Sequence, residues 1–554
     1  MSLPRQSPRP SSPFRCSIGL FALLVSGNGS AAIAQEDVPH QHGEGRLGRV
    51  EFAVSCTPEA QRRFAHAMAV LHSFWWEEGD RVFGAVLEAD SNCAMAHWGR
   101  ALNAWGNPFA GGPSGEQLAR GADAAARAAA RPLPTPREQG FVNGVATLYR
   151  ESGTSTNAAR LQAYADTMAR LHRDLPRDTE VTIYYALALV ATAPRTDTTF
   201  AQQRRAVALL DPLYQRHPDH PGLAHYIIHS TDSPRMAAHG LKAARRYSRI
   251  APAAPHAQHM PSHIFVRLGL WDETVSSNWQ SFNAGVAYAR TSGAPAATYH
   301  ELHALDYAVY GYLQQGQDSA ARQAVARGRA LEVLPAQSAV IREYNRTAMA
   351  ARVALEAGDW SAAAAFPAPP DSATGMSPVL SRFTRALGAA RSGRPAAAKA
   401  EIAALDALAR DLEARQETYW SRVAAIKRDA AAAWMRFQAG DSAGGLALAA
   451  AAADSEEVTD KHPITPAELL PAMELKADML LAAGRYAEAR AGYRATLARE
   501  PGRARSLWGA ARAAERAGDR AAATQGYTAY LAAMERGDNA RPELADARAF
   551  LRRR

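Results

Sequence analysis

Lysine is nearly absent from this chain. Only Lys242, Lys399, Lys427, Lys461 and Lys476 stand among 63 basic residues, so its positive charge is carried by arginine. The net charge of +9 is smaller than it looks: residues 1–34 contain Arg5, Arg9 and Arg15 and no acid, leaving 60 basic against 54 acidic residues. A balance of +6 spread along the chain, with no clustered basic face, argues against nucleic acid as a partner. Cysteine is also scarce, with three in 554 residues. Period-2 alternation is almost missing, which excludes a β-rich fold. Beyond the N-terminus no apolar run approaches the roughly twenty residues needed to span a bilayer. There is no serine elbow, no phosphate loop and no HExxH; "HELH" at His300 to His303 lacks that spacing. No nucleotide cofactor is expected.

The N-terminus reads as an export signal. A basic, proline-rich segment leads into "CSIGLFALLVSG" (16–27), and "SAAIAQ" places cleavage after Ala34. An uncleaved anchor is the lesser alternative. Export to a periplasmic or extracellular space leaves Cys56 and Cys93 in an oxidising compartment, where one disulfide is expected. Two separate buried thiols are the alternative.

The chain is too long for one ordinary core and must be several domains or an extended array. The array is visible at the C-terminal end. Gly484 and Gly518, Ala489 and Ala523, Tyr493 and Tyr527, and Leu497 and Leu531 pair at one constant spacing. This pattern resembles the tetratricopeptide repeat, with a glycine turn between helices and alanine where they touch. Looser echoes surround Gly269, Gly316, Gly358 and Gly440. The fold expected is all-α, a right-handed solenoid of tetratricopeptide-like hairpins. Its divisions are a leader (1–34), N-terminal hairpins (35–137), a histidine-rich core (138–310), degenerate repeats (311–465) and C-terminal repeats (466–554). Gly/Pro loops are expected at 106–115, 131–138 and 366–378. The first carries Trp105, Asn107 and Phe109 and could form a lid.

Histidine is concentrated. Ten of seventeen fall between His217 and His303. "AHYIIHSTDSP" puts His225 and His229 on one helix face, with Asp232 at its end and Ser233-Pro234 opening the next helix. "HAQHMPSHIF" puts His256 and His259 on an irregular turn and His263 on the helix begun by Pro261. "YHELHALDY" pairs His300 with His303. Stacked hairpins bring these seven imidazoles to one wall. Neutral imidazole suits copper, zinc and iron, and Asp232, Asn278, Glu301 and Asp306 could hold ring N–H groups. A histidine on a packed face is ordinarily a hydrogen-bonded core residue, but burying seven without a purpose is costly. His217, His220 and His239 are assigned to exposed or ordinary positions, and His40 and His42 to a flexible segment. In "HSFWWEEGDRVF", His72, Trp75, Trp76 and Glu77, with His97 and Trp98 beyond, are read first as repeat core.

These motifs, together with "NCAMAHWG" and "HPITPAELLPAMELKADMLL", resemble a group of large exported bacterial proteins in the tetratricopeptide superfamily. The resemblance implies a helical-repeat fold and export, and assigns no reaction. Three functions follow as expectations: a metal-dependent oxidoreductase or hydrolase of the cell envelope, a scaffold holding a peptide or envelope protein in its groove, or a metal store. The ligand of the groove is a small molecule or a peptide.

Overall fold

In this computed structural model, residues 46–292, 299–332, 339–370 and 373–553 are described. The signal-like segment, its cleavage point and His40 and His42 lie outside the described residues. Among those described, every regular element is a helix. No described helix is long and apolar enough to cross a membrane.

The C-terminal repeat shows why these residues build hairpins. Helices Ala472–Ala482, Tyr486–Arg499, Ala504–Arg516 and Arg520–Ala533 follow one another, each packed on its predecessor. Gly484 and Gly518 adopt left-handed φ of +76° and +81° at the intervening turns, a conformation that an L side chain resists. Ala489, Ala523, Tyr493 and Tyr527 are fully buried. The tyrosine needs its glycine: a Cβ on Gly509 would lie 2.4 Å from the Tyr493 ring. The four upstream glycines, Gly269, Gly316, Gly358 and Gly440, also take positive φ at helix ends. The degenerate repeats thus keep the turn after losing the spacing. Loops run through 106–114 and 131–135, as do the described parts of 366–376.

Both ends of the array fold back on its middle. The Trp271 indole donates to the Gly502 carbonyl (3.1 Å), and Arg541 grips Asp318 (2.6 and 3.0 Å). At the other end Trp75 packs on Tyr288, with ring centroids 4.9 Å apart, and the backbone carbonyl of His72 reaches His225. The aromatic patch near residue 75 therefore closes over the histidine region as well as filling a core.

Cys56 and Cys93 are joined by a disulfide across 37 residues. Closing a loop of that length stabilises by about 4 kcal/mol on a chain-entropy account. Cys93→Ser is expected to lower the thermal midpoint, and non-reducing mass spectrometry of the parent should find no free thiol. Two free thiols would refute the bond.

Candidate metal centre

Four helical segments supply the histidines. Pro221–Thr231 carries His225 and His229, Pro255–His259 carries His256 and His259, Pro261–Leu268 carries His263, and Tyr299–Gln314 carries His300 and His303. The stretch expected to be an irregular turn is a one-turn helix, because Pro255 and Pro261 each start a helix at a position needing no N–H. Ser233-Pro234 forms a turn and not a helix start; that helix begins at Ala237.

Six of the seven imidazoles fall into two groups of three. His225, His229 and His256 offer nitrogens within 4.8 Å of one another, and so do His259, His263 and His303. The groups adjoin, with ring centroids 6.2 Å apart for His256 and His259 and 6.3 Å for His229 and His263. His300 belongs to neither group. Its ring is 5.8 Å from that of His256, and its Nε2 is 3.4 Å from the Glu77 carboxylate. Burial opposes its protonated form, but Glu77 outweighs burial and raises its pKa.

Hydrogen bonds fix which nitrogens are bare. His225 Nδ1 is 2.7 Å from the His72 carbonyl, which can only accept, so Nδ1 carries the proton. His259 Nδ1 donates to Asn278 Oδ1 (2.7 Å), whose orientation is set by Asn278 Nδ2 donating to Thr274 O. His263 Nδ1 donates to Asp232 Oδ2 (2.8 Å). Burial opposes ionisation of Asp232, but Lys461 and Arg267 outweigh it and hold the carboxylate ionised. Burial in turn lowers Lys461 to about 8. Consequently His259 Nε2 and His263 Nε2, 3.0 Å apart, face each other as lone pairs. In the first group His225 Nε2 and His256 Nε2 are 3.2 Å apart. Burial first, and then the neighbouring imidazoles, hold His256, His259 and His303 well below the usual histidine range; burial takes His225 to about 3. These are neutral rings.

The four expected partners of the rings divide. Asp232 and Asn278 hold ring N–H groups, whereas Asp306 accepts from Arg352 (2.9 Å) and Glu301 packs against Gly285. His220, expected in an exposed turn, is buried. It lies 3.0 Å from Glu180, which also meets His72 at 3.0 Å. His72 is fully buried, and Gly222 makes room for its ring: a Cβ there would lie 2.5 Å from His72 Nδ1. His239 is exposed beside Asp211.

Four features escaped the sequence reading. Phe74 takes φ +51°, a strain of about 1–2 kcal/mol for a side chain of this size. Its ring stacks on His256 (5.6 Å) and meets His225 edge-on (4.5 Å). Arg267 binds both Asp232 (2.9 Å) and Asp460 (3.0 Å). The segment 460–467 crosses the second group: Lys461 meets Asp232 (3.4 Å) and Tyr307 donates to the Pro463 carbonyl (2.9 Å). His462 lines the adjoining cavity. The signal for this segment was a lysine in a nearly lysine-free chain, set just before Pro463 and Pro466 in a helical context.

That cavity, about 670 Å³ and open to solvent, has His229, His256, His263 and His303 in its wall. The loop 106–114 borders it and lays Phe109 over His229, with centroids 4.3 Å apart and planes at 26°.

No family model matches the chain, and no curated protein matches it. Among solved structures it is similar to a monomeric mutant of IFIT1 with Gppp-AAAA, at 10% identity over 82% of this chain and 90% of that one, with a TM-score of 0.33. It is also similar to Naa15/Naa10 bound to HypK-THB, at 9% identity over 89% and 73%, with a TM-score of 0.20. The fold and site described above rest on this chain's own geometry.

Proposed function

We propose that this protein is a metal-dependent enzyme whose two histidine triads hold a pair of transition-metal ions beside a substrate cavity, with copper the favoured metal. One observation carries the reading. His259 Nε2 and His263 Nε2 are both deprotonated acceptors, yet they lie 3.0 Å apart in a buried site. Two lone pairs repel at that distance unless a shared proton or a metal ion sits between them, and burial disfavours the proton on both rings. With metal–nitrogen bonds of about 2.0 Å, neighbouring ligands of a four-coordinate ion lie about 3.3 Å apart, near the 3.0 and 3.2 Å of one Nε2–Nε2 pair in each group.

The donor set guides the choice of metal. Each group is three neutral imidazoles with no carboxylate, unlike the carboxylate-rich sites that hold iron pairs or the oxygen ligands preferred by magnesium and calcium. Imidazole suits copper and zinc, and affinity peaks at copper. A copper pair would supply dioxygen-linked oxidation; the chain's own contribution is to fix ring orientation through His72 O, Asn278 and Asp232. The open cavity favours an enzyme over a store with closed coordination. The signal-like leader and the disulfide support export, and the sequence divisions at 137, 310 and 465 remain part of this reading.

Protein purified without a histidine tag should contain two copper ions per chain by elemental analysis and consume dioxygen with a reducing organic substrate. Two zinc ions with ester or amide hydrolysis would replace oxidation by hydrolysis. A metal-free protein that binds no added copper or zinc would leave a scaffold.

A further inference from the structure

We infer that the cavity above the histidine groups binds an uncharged aromatic molecule of the phenol class, between the Phe109 loop and the Trp420–His462 wall. This rests on the reading of the histidine groups only for what happens to the ligand. Recognition itself follows from the cavity walls.

Its size comes first. At about 670 Å³ the cavity falls within the roughly 300–1,000 Å³ typical of small-molecule sites. Its surfaces come next. Trp76, Trp105, Phe109, Tyr344 and Trp420 present rings around it, an arrangement that favours stacking with a flat ligand.

Charge then narrows the class. Among the described residues, the ionic side chains at the cavity are Glu77, Asp80, Arg120 and Glu417. Each has a partner of opposite sign or a histidine beside it. Glu77 has His300 at 3.4 Å, Asp80 has Arg100 at 3.6 Å and Arg120 at 3.9 Å, and Glu417 has Arg415 at 3.7 Å. In the metal-free protein a charged ligand would surrender its hydration without meeting an unpartnered side chain of opposite sign. A neutral ligand has no such penalty.

His462 in the wall supplies a donor for it. His462 stacks on Trp420, with centroids 4.8 Å apart and planes at 34°. The Ile464 backbone N–H donates to His462 Nδ1 at 3.2 Å, so the neutral ring must carry its proton on Nε2. That N–H is a fixed donor beside an aromatic face, and a phenolic oxygen is the matching acceptor.

Three ligands with one ring and different charge test the inference: p-cresol, tyramine and 4-hydroxyphenylacetate, titrated by calorimetry into metal-free protein. p-Cresol should bind about tenfold or more tighter than either charged analogue, equivalent to about 1.4 kcal/mol. Trp420→Ala and His462→Ala should each weaken p-cresol about tenfold while the metal content stays at its parent value. His462→Gln, which keeps an N–H donor, should recover part of the loss; circular dichroism checks that the variants fold. Equal or tighter binding of a charged analogue, no p-cresol binding, or variants that bind like the parent would overturn the inference. If p-cresol binds as expected and no metal does, the metal reading fails and this one stands.

Discussion

Replacing His225 and His259 together by alanine is expected to remove both metal ions, taking two equivalents per chain to essentially none, and to abolish turnover. Each substitution strips one nitrogen from a different group, and two neutral imidazoles hold a divalent ion poorly against water. His225→Ala alone should lower the content to one, as should His259→Ala. Asn278→Ala is a milder case. It removes only the acceptor that orients His259, and loss of such a partner typically weakens metal binding by about 10–100-fold. Elemental analysis after dialysis against a chelator of graded strength would rank the four proteins. A double variant that kept two equivalents would refute the assignment of these histidines as ligands. Because the rings are buried, folding should be confirmed first, and the single variants provide the internal control.

The second large effect is structural. Arg503 has no exposed surface. It binds Glu474 with both Nε and Nη2 (2.8 and 2.9 Å), Glu356 at 2.8 Å and the Tyr310 hydroxyl at 3.2 Å. One guanidinium thus joins the C-terminal repeats to the helix that carries His303. Arg503→Met leaves Glu356 buried without its cation and Glu474 with only Arg505 at 3.4 Å, and breaking a buried pair typically destabilises by about 3–5 kcal/mol. Arg503→Lys should fail nearly as badly, since an ammonium cannot reproduce the paired geometry. Adding Glu356→Gln and Glu474→Gln to Arg503→Met should restore part of the stability. Thermal or urea unfolding reads all of these, and a wild-type midpoint for Arg503→Met would show that the cluster contributes little.

The hairpin array was legible because its signal is local. A glycine turn, an alanine contact and a buried tyrosine recur within single units, and the upstream glycines keep positive φ even where the spacing drifts. The histidine concentration was equally plain, and the spacing along one helix put His225 and His229 together, as they are in the first group. Grouping across helices was not readable. His300 and His303 share a face one turn apart, yet His303 joins His259 and His263 while His300 turns toward Glu77. That choice depends on where the first hairpin docks, a tertiary fact. His220 was misread for the same reason: "QRHPDHPG" has turn composition, but the ring is buried against Glu180 and His72. Phe74 could not be anticipated at all, since nothing local favours a phenylalanine at positive φ. Its strain is sustained by the rings packed around it.

The brace on His225 comes from a carbonyl 153 residues away, and the cation beside Asp232 lies 229 residues further along the chain. A ribosome that has made only the histidine-bearing third has therefore not yet made a pocket. Ions offered to that nascent chain would meet loose imidazoles of ordinary affinity, and selective capture must wait until the distant tail has wrapped into place. Such long closures are slow to find, so on the metal reading proposed above ion uptake would wait for completion of the helical array and not for synthesis of the ligands themselves.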